Sequence, residues 1–222
     1  MTILLISAHD DPRSLVGALQ NTALATLERA GHKTLVTDLY AQGFNPVASS
    51  LDFKTKQATS ANYMFEQQRT INTNSGFSPD IQSEMDKVSQ ADLVIFHFPF
   101  WWAGPPAIMK GWFDRVLAMG YAWNGDARYS NGLMRGKKAL LVTACGDPNS
   151  FYSTEGMHRA TVEQHLYGVA HNVLAFCGFD VLQSVVLSNT TAASEAEIGE
   201  DIKSYAELLK TIDQETDYIY KH

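Results

Sequence analysis

Short apolar runs alternate along this chain with stretches in which apolar residues recur every three or four positions, a pattern that predicts strands and helices in turn. Residues 3–8 form the first run, and beyond the loop His-Asp-Asp-Pro-Arg-Ser the residues Leu15, Ala18, Leu19, Ala23 and Leu27 fall on one helical face. Gly31 stops that helix and residues 34–38 make a second strand, so the chain opens with a βαβ unit. Residues 41–77 are the least regular part, and their FNP, SS and TNS segments predict loops with one or two short helices. A helix from Pro79 through Ile81, Met85 and Val88 then leads to residues 93–98, apolar except for His97, which suits a strand buried on both faces of a parallel sheet. Pro99 ends this strand, and a helix with Ile108, Trp112 and Val116 on one face resumes after Pro106. Residues 119–138, with their glycines and aromatics, predict an irregular loop or small hairpin. A fourth strand at 139–143, a helix over about 154–176 capped by Gly178, a fifth strand at 181–187 and an amphipathic helix at 195–212 complete the pattern.

Five strands alternating with helices imply an α/β fold, a flavodoxin-like three-layer α/β/α sandwich with a five-stranded parallel sheet in the order 2-1-3-4-5. The right-handed crossover rule then sets the loops after the first, third and fourth strands side by side at one sheet edge. The 222 residues fit one domain, taken as 1–222. A net charge of −7 with dispersed lysines argues against a nucleic-acid surface. The amino terminus lacks a basic stretch and a long apolar run, so it reads as a strand and not as a signal peptide or membrane span. Cys145 and Cys177 form no CxxC or zinc spacing, which fits a reduced, cytoplasmic protein. No metal cluster, Walker pattern or GxSxG elbow is present, so NTPase and hydrolase readings have no support.

The chemistry lies in the loops. In the first, Ser14 can cap a helix and bond a phosphate oxygen, although a plain cap fits equally and Asp10 and Asp11 oppose an anion unless they face water. The second, FPFWWAGPP, has three successive aromatics, Phe100, Trp101 and Trp102, which cannot all face one core, and a wall of this kind at a sheet edge suits a flat ring. His97 reads as a strand histidine satisfied in the core. The third loop offers Tyr152 and His158, a phenol and an imidazole able to donate to a ring carbonyl that gains charge. Cys145, with no activating partner evident, reads as packing.

With these loops in view, the chain resembles the flavin-dependent NAD(P)H:quinone oxidoreductase family, including its modulator-of-drug-activity and potassium-efflux ancillary branches. The most specific match is ADLVIFHFPFWWAGPPAIMKGWFDRVLAMGYAW; the AH…P.S opening, DLY…FNP, RGKKALL, Y…GMH and FCGF.VL agree as well. The resemblance implies a homodimer with FAD at two active sites made from both subunits, FMN being the alternative. By matching position, His9, Ser14, Leu15 and Val16 should hold the pyrophosphate end. Pro99, Phe100, Trp101 and Trp102 should line the isoalloxazine, and Thr143, Ala144, Cys145 and Gly146 should close on its other edge. Tyr152 and His158 match the family's catalytic tyrosine and histidine. Trp123 and Tyr129, with Trp102, fall where the family places the substrate pocket, the first two donated by the partner subunit. The implied reaction is two-step hydride transfer from NADPH or NADH to a quinone. An FMN azo- or nitroreductase and a regulatory subunit of a potassium-efflux transporter are the alternatives. The chain departs from the family pattern at Val16 for a common asparagine, at Thr-Ala-Cys-Gly for Thr-Thr-Gly-Gly with one extra residue before Tyr152, and at Glu197, read as standing where some members carry a flavin-contacting arginine.

Overall fold

The computed structural model describes residues 1–55 and 62–221; residues 56–61, within the stretch expected to be irregular, lie outside the described residues. Strands β1 (Thr2–Ser7), β2 (Lys33–Asp38), β3 (Leu93–Pro99), β4 (Lys138–Ala144), β5 (Asp180–Leu182), β6 (Val185–Leu187) and β7 (Tyr218–Tyr220) form one sheet. Its order is β2-β1-β3-β4-β5-β7, with β6 also on β4, and all pairings are parallel except β5 with β7. The expected 2-1-3-4-5 order is therefore present.

Two features of the sheet edge go beyond the expectation. The fifth strand is two pieces, because the pairing moves from Lys138↔Asp180 to Val142↔Val185. The offset grows from 42 to 43, so one extra residue bulges at Gln183–Ser184. Beyond it, β7 adds an antiparallel edge strand.

Helices α1 (Leu15–Arg29) and α6 (Glu195–Leu209) cover one face of the sheet. Helices α3 (Pro79–Gln90), α4 (Ala107–Val116) and α5 (Val162–Val169) cover the other, with α2 (Tyr63–Thr73) at its margin. The strand alternation dictates this: Ile3, Leu5, Leu93 and Ile95 pack under α1 and α6, whereas Leu4, Ile6, Val94, Phe96 and Phe98 pack under α3 and α4. Trp112 and Val116 are buried as their helical spacing requires.

Buried charge fastens the irregular 41–55 segment to this second layer. Arg115, almost wholly buried, donates to Asp52 (2.9 Å), Asp80 (2.8 Å) and the Asn45 carbonyl (2.7 Å). Glu84 accepts from Thr37 (2.8 Å), Trp112 Nε1 (3.0 Å) and Lys87 (2.6 Å), tying β2, α3 and α4 together. Pairing of this sort makes a buried carboxylate tolerable.

The helix expected from residue 154 begins only at Val162. Thr161 and Gln164 form a capping box there, and the preceding residues 149–160 are turns. After Val169 the helix widens into a π-helical run, Ala170–Ala175.

Candidate active site

The loops after β1, β3 and β4 meet at the carboxyl ends of their strands, joined by the loop between β6 and α6. They enclose an open pocket of about 520 Å³, lined by His9, Ser14, Leu15, Val16, Pro99, Phe100, Trp101, Ala144, Gly146, Thr190, Thr191 and Ile198.

At one end of this pocket stands the start of α1. Ser14 is extended, its Oγ accepts from the Gly17 amide (3.2 Å) and its carbonyl accepts from Ala18 (2.9 Å). The amides of Leu15 and Val16, in the first turn, have no intrahelical acceptor to meet, and both residues face the pocket. The loop lies tight on the helix: a Cβ on Gly17 would come within 2.2 Å of the Pro12 carbonyl oxygen, so only glycine admits this approach. The acidic pair is accounted for. Asp11 accepts from the Arg13 side chain at 2.8 and 3.0 Å and from its amide at 2.9 Å, and these bonds hold its carboxyl down at about 2. Asp10 is 72% exposed to water. His9 Nδ1 accepts from the Asp11 amide (3.1 Å), which leaves Nε2 to carry the ring proton of the neutral form.

The aromatic loop resolves its three rings into three directions. The Phe100 amide donates to the Ala144 carbonyl (2.9 Å), and its ring meets Tyr152 edge-on at 5.6 Å. Trp101 and Gly104 exchange backbone bonds of 3.0 and 3.1 Å around Trp102 and Ala103, whose φ of 49° and 62° both lie in the left-handed region. That is the signature of a mirror-image hairpin turn, usually filled by Asn-Gly. The turn sets Trp101 47% exposed beside His9, and Trp102 fully exposed at 104%.

In the third loop, Thr143 is buried and donates to the Phe98 carbonyl (3.0 Å). Ala144 and Gly146 line the pocket between which Cys145 turns inward, its thiol pushed up to about 12, chiefly by burial. Tyr152 and His158 stack with ring centroids 4.4 Å apart and planes 15° apart. Burial raises the Tyr152 phenol above its ordinary value, helped by Cys145 and Asp147. Because α5 starts later than expected, His158 precedes its first turn and pairs instead with Asp147 (Nε2 to Oδ2, 3.1 Å). Tyr152 flanks Phe100, and through it the pair adjoins the pocket wall without lining the pocket itself.

Sequence reasoning missed Thr190, Thr191 and Ile198. Thr191 donates to the Gly146 carbonyl (2.7 Å) and Thr190 to that of Cys145 (2.9 Å), so the two hydroxyls fix the third loop from the side of the sheet edge. The signal was available in the hydroxyl-rich SNTT preceding a helix cap on the strand next to β4. The residue of α6 that faces the pocket is Ile198, whereas the Glu197 carboxylate turns back to the amide and hydroxyl of Ser194 (2.7 Å each) in a capping box. Trp123 and Tyr129 do not join this pocket. Trp123 packs on Phe176 (5.3 Å) at a separate apolar cavity of about 460 Å³ that Tyr63, Met64 and Phe113 also line, and Tyr129 packs on Phe176 and His171.

A parallel sheet wound on both faces, with a helix start and an aromatic wall at the carboxyl ends of its central strands, defines the class: a flavodoxin-like α/β protein with an open pocket at its topological switch point. A family model described as the flavodoxin-like fold matches residues 1–209. The chain is 37% identical over 212 residues to the ribosyldihydronicotinamide dehydrogenase (quinone) of Pongo abelii, covering 95% of this chain and 91% of that protein. It is 38% identical over 181 residues to NAD(P)H dehydrogenase (quinone) 1 of Rattus norvegicus, covering 81% of this chain and 66% of that longer protein. A solved structure from Klebsiella pneumoniae, assigned as a quinone reductase, matches with a TM-score of 0.91 at 34% identity over 98% of this chain and 86% of that one. The chain belongs to the flavodoxin-like family, in the branch that holds the NAD(P)H dehydrogenases (quinone), as its resemblance implied. No described helix is long and apolar enough to cross a membrane.

Proposed function

We propose that this protein is a flavin-dependent NAD(P)H:quinone oxidoreductase. The observation that carries the reading is the union, in one pocket, of a helix start with free amides and an apolar wall made of Pro99, Phe100 and Trp101. The residues present fit a flavin nucleotide: the amides of Leu15 and Val16 and the Ser14 hydroxyl, whose proton is uncommitted, suit phosphate oxygens, and Asp11 is neutralised by Arg13. Among the described residues no lysine or arginine lines the pocket, and Ile198 is apolar. That favours the singly charged phosphates of a dinucleotide, with adenine continuing over Ile198, above the terminal dianion of FMN. When bound, the flavin supplies acceptance of a hydride from NADPH or NADH and its delivery to the quinone.

The chain's own part is to bind, orient and shield. Phe100 and Trp101 stack on or beside the ring system, and Gly146 and Ala144 bound its other edge. Tyr152 donates a hydrogen bond to a ring carbonyl, and His158, whose Nε2–H is given to Asp147, donates there from Nδ1 when both ring nitrogens carry protons. Trp123 and Tyr129 serve the acceptor pocket of a second copy. The apolar cavity beside Trp123, next to the exposed Met64 and Phe65, supports a homodimer assembled through that face. Two buried free thiols fit the cytoplasm.

Tyr152→Phe and His158→Ala should each lower kcat for quinone reduction, on the order of 100-fold, while flavin content stays at the wild-type level. Steady-state kinetics alongside the flavin-to-protein absorbance ratio measure both. Wild-type kinetics in both variants would remove the pair from the mechanism. Flavin released by heat should chromatograph as FAD; FMN would point to the azo- or nitroreductase alternative.

A further inference from the structure

Three successive carbonyls of the loop after β4 are taken up by the segment between β6 and α6. The Cys145 carbonyl accepts from the Thr190 amide (3.0 Å) and hydroxyl (2.9 Å), and the Gly146 carbonyl from the Thr191 amide (3.4 Å) and hydroxyl (2.7 Å). The Asp147 carbonyl accepts from the Asn189 amide (2.8 Å). Each of the first two carbonyls thereby has a donor for both of its lone pairs. The amides alone would tether the loop, and the hydroxyls add the second bond that keeps the two peptide planes from turning.

A trans peptide points its N–H opposite to its C=O. Up to Cys145 the backbone alternates as a strand does: the Ala144 carbonyl accepts from Phe100 (2.9 Å) on the β3 side, and the Cys145 amide donates to the Leu187 carbonyl (2.7 Å) on the β6 side. At the bend of Gly146 and Asp147 that alternation stops. Two successive carbonyls face Thr190 and Thr191, so the Gly146 and Asp147 amides both turn the other way, towards the side on which Pro99, Phe100 and Trp101 wall the pocket. Neither amide donates to an acceptor among the described residues. Neighbouring N–H groups aimed the same way form a nest for negative charge. Gly146 lines the pocket and sets no side chain over it, and the Asp147 carboxylate is drawn off to His158 (3.1 Å).

We propose that Thr190 and Thr191 are positioning residues: their hydroxyls lock the Cys145 and Gly146 carbonyls so that the Gly146 and Asp147 amides point at the carbonyl edge of the flavin ring and stabilise the negative charge it gains on reduction. The role rests on the flavin-reductase reading and deepens it. Neither hydroxyl donates to the cofactor, since both protons are committed to carbonyls.

The test compares a Thr190→Val, Thr191→Val double variant, which keeps the side-chain shape and removes both hydroxyls, with a Thr190→Ser, Thr191→Ser double variant, which retains them. A single Thr191→Val, at an exposed position, guards against a double variant that folds poorly. Each is measured as flavin-loaded protein for flavin content, for the midpoint potential of the bound flavin, and for the separate rates of reduction by NADH or NADPH and reoxidation by a simple quinone. The valine double variant should keep its flavin and lose roughly tenfold of the site's preference for reduced over oxidised flavin, a fall of about 30 mV for a two-electron couple. Its reduction should slow while its reoxidation is at least as fast as in the wild type, a split that a merely loosened loop would not give. Thr191→Val should shift in the same direction by less, and the serine variant should stay near the wild type. An unchanged potential in the valine variants, both half-reactions slowed alike, loss of flavin from them, or a serine variant no closer to wild type would overturn the role of the two threonines alone. Wild-type protein that purifies without flavin, or whose flavin neither nicotinamide reduces, would overturn the function reading and this role with it.

Discussion

His97 marks how strongly a position in the sheet decides a side chain's chemistry. It sits in β3, fully buried, with Nε2 2.8 Å from the Tyr205 hydroxyl of α6, on the face away from the aromatic loop. Burial pushes its pKa from the ordinary 6.5 down to about 3. Between those values the unfolded chain takes up a proton that the folded chain refuses, so stability is fully present above about 6.5 and is lost as the pH falls towards 3. The slope is at most about 1.4 kcal/mol per pH unit. Urea unfolding at neutral and mildly acid pH should show that slope in the wild type and lack it in His97→Phe; parallel curves would contradict the assignment. At this scale much was legible: His97 as a core histidine, Cys145 as packing, and at least one aromatic of the loop turned outward. Which aromatic faced which way was not, because that depends on two consecutive left-handed residues, Trp102 and Ala103, which no sequence rule anticipates for a Trp-Ala pair. Nor could Glu197 be told from Ile198 at the pocket, since one residue along a helix rotates the side chain by about 100°.

Among the elements, the parallel core was legible because its strands are continuous apolar runs and its helices carry caps and stops where propensity puts them. The misses share a cause: short elements whose existence depends on tertiary contacts. Strand β7, with three residues, exists by pairing with β5, and the split of the fifth strand is a bulge invisible to periodicity; α2 is one of the short helices expected between residues 41 and 77, held by Gln67 to the Asp114 carbonyl (3.0 Å). The late start of α5 was the avoidable error, since Thr161-x-x-Gln164 is a capping box in plain sight. Helix α4 offers a test in which packing reverses local preference. Alanine in place of a helical glycine ordinarily gains about 1 kcal/mol. At Gly111, however, a Cβ would lie 2.2 Å from the Pro46 carbonyl oxygen and 2.4 Å from its Cα, backbone that cannot step aside cheaply. Gly111→Ala should therefore destabilise the protein by about 1–3 kcal/mol in denaturant unfolding; a stabilised variant would mean that the 41–55 segment does not rest on α4 as described.

For the whole molecule, the pocket and the apolar face carry the account. One chain builds the pocket at the carboxyl ends of its central strands, while Trp123 lines a different cavity with the exposed Met64 (52%), next to Phe65 (61%), and Tyr129 packs on Phe176 at its side. Two copies joined by that face would complete the site. Sedimentation should give a dimer, and a Met64→Asp, Phe65→Asp double variant should shift it to monomer with flavin retained but quinone turnover reduced at least roughly tenfold; a monomeric, fully active wild type would contradict the shared site. Mixing the purified, flavin-loaded protein with NADH or NADPH without oxygen and then adding a simple quinone tests whether its flavin carries electrons from one to the other. The yellow absorbance should bleach on the first addition and return on the second, with one quinone consumed per nicotinamide oxidised. A protein that purifies without flavin, or whose flavin is untouched by both nicotinamides, would contradict the proposed function.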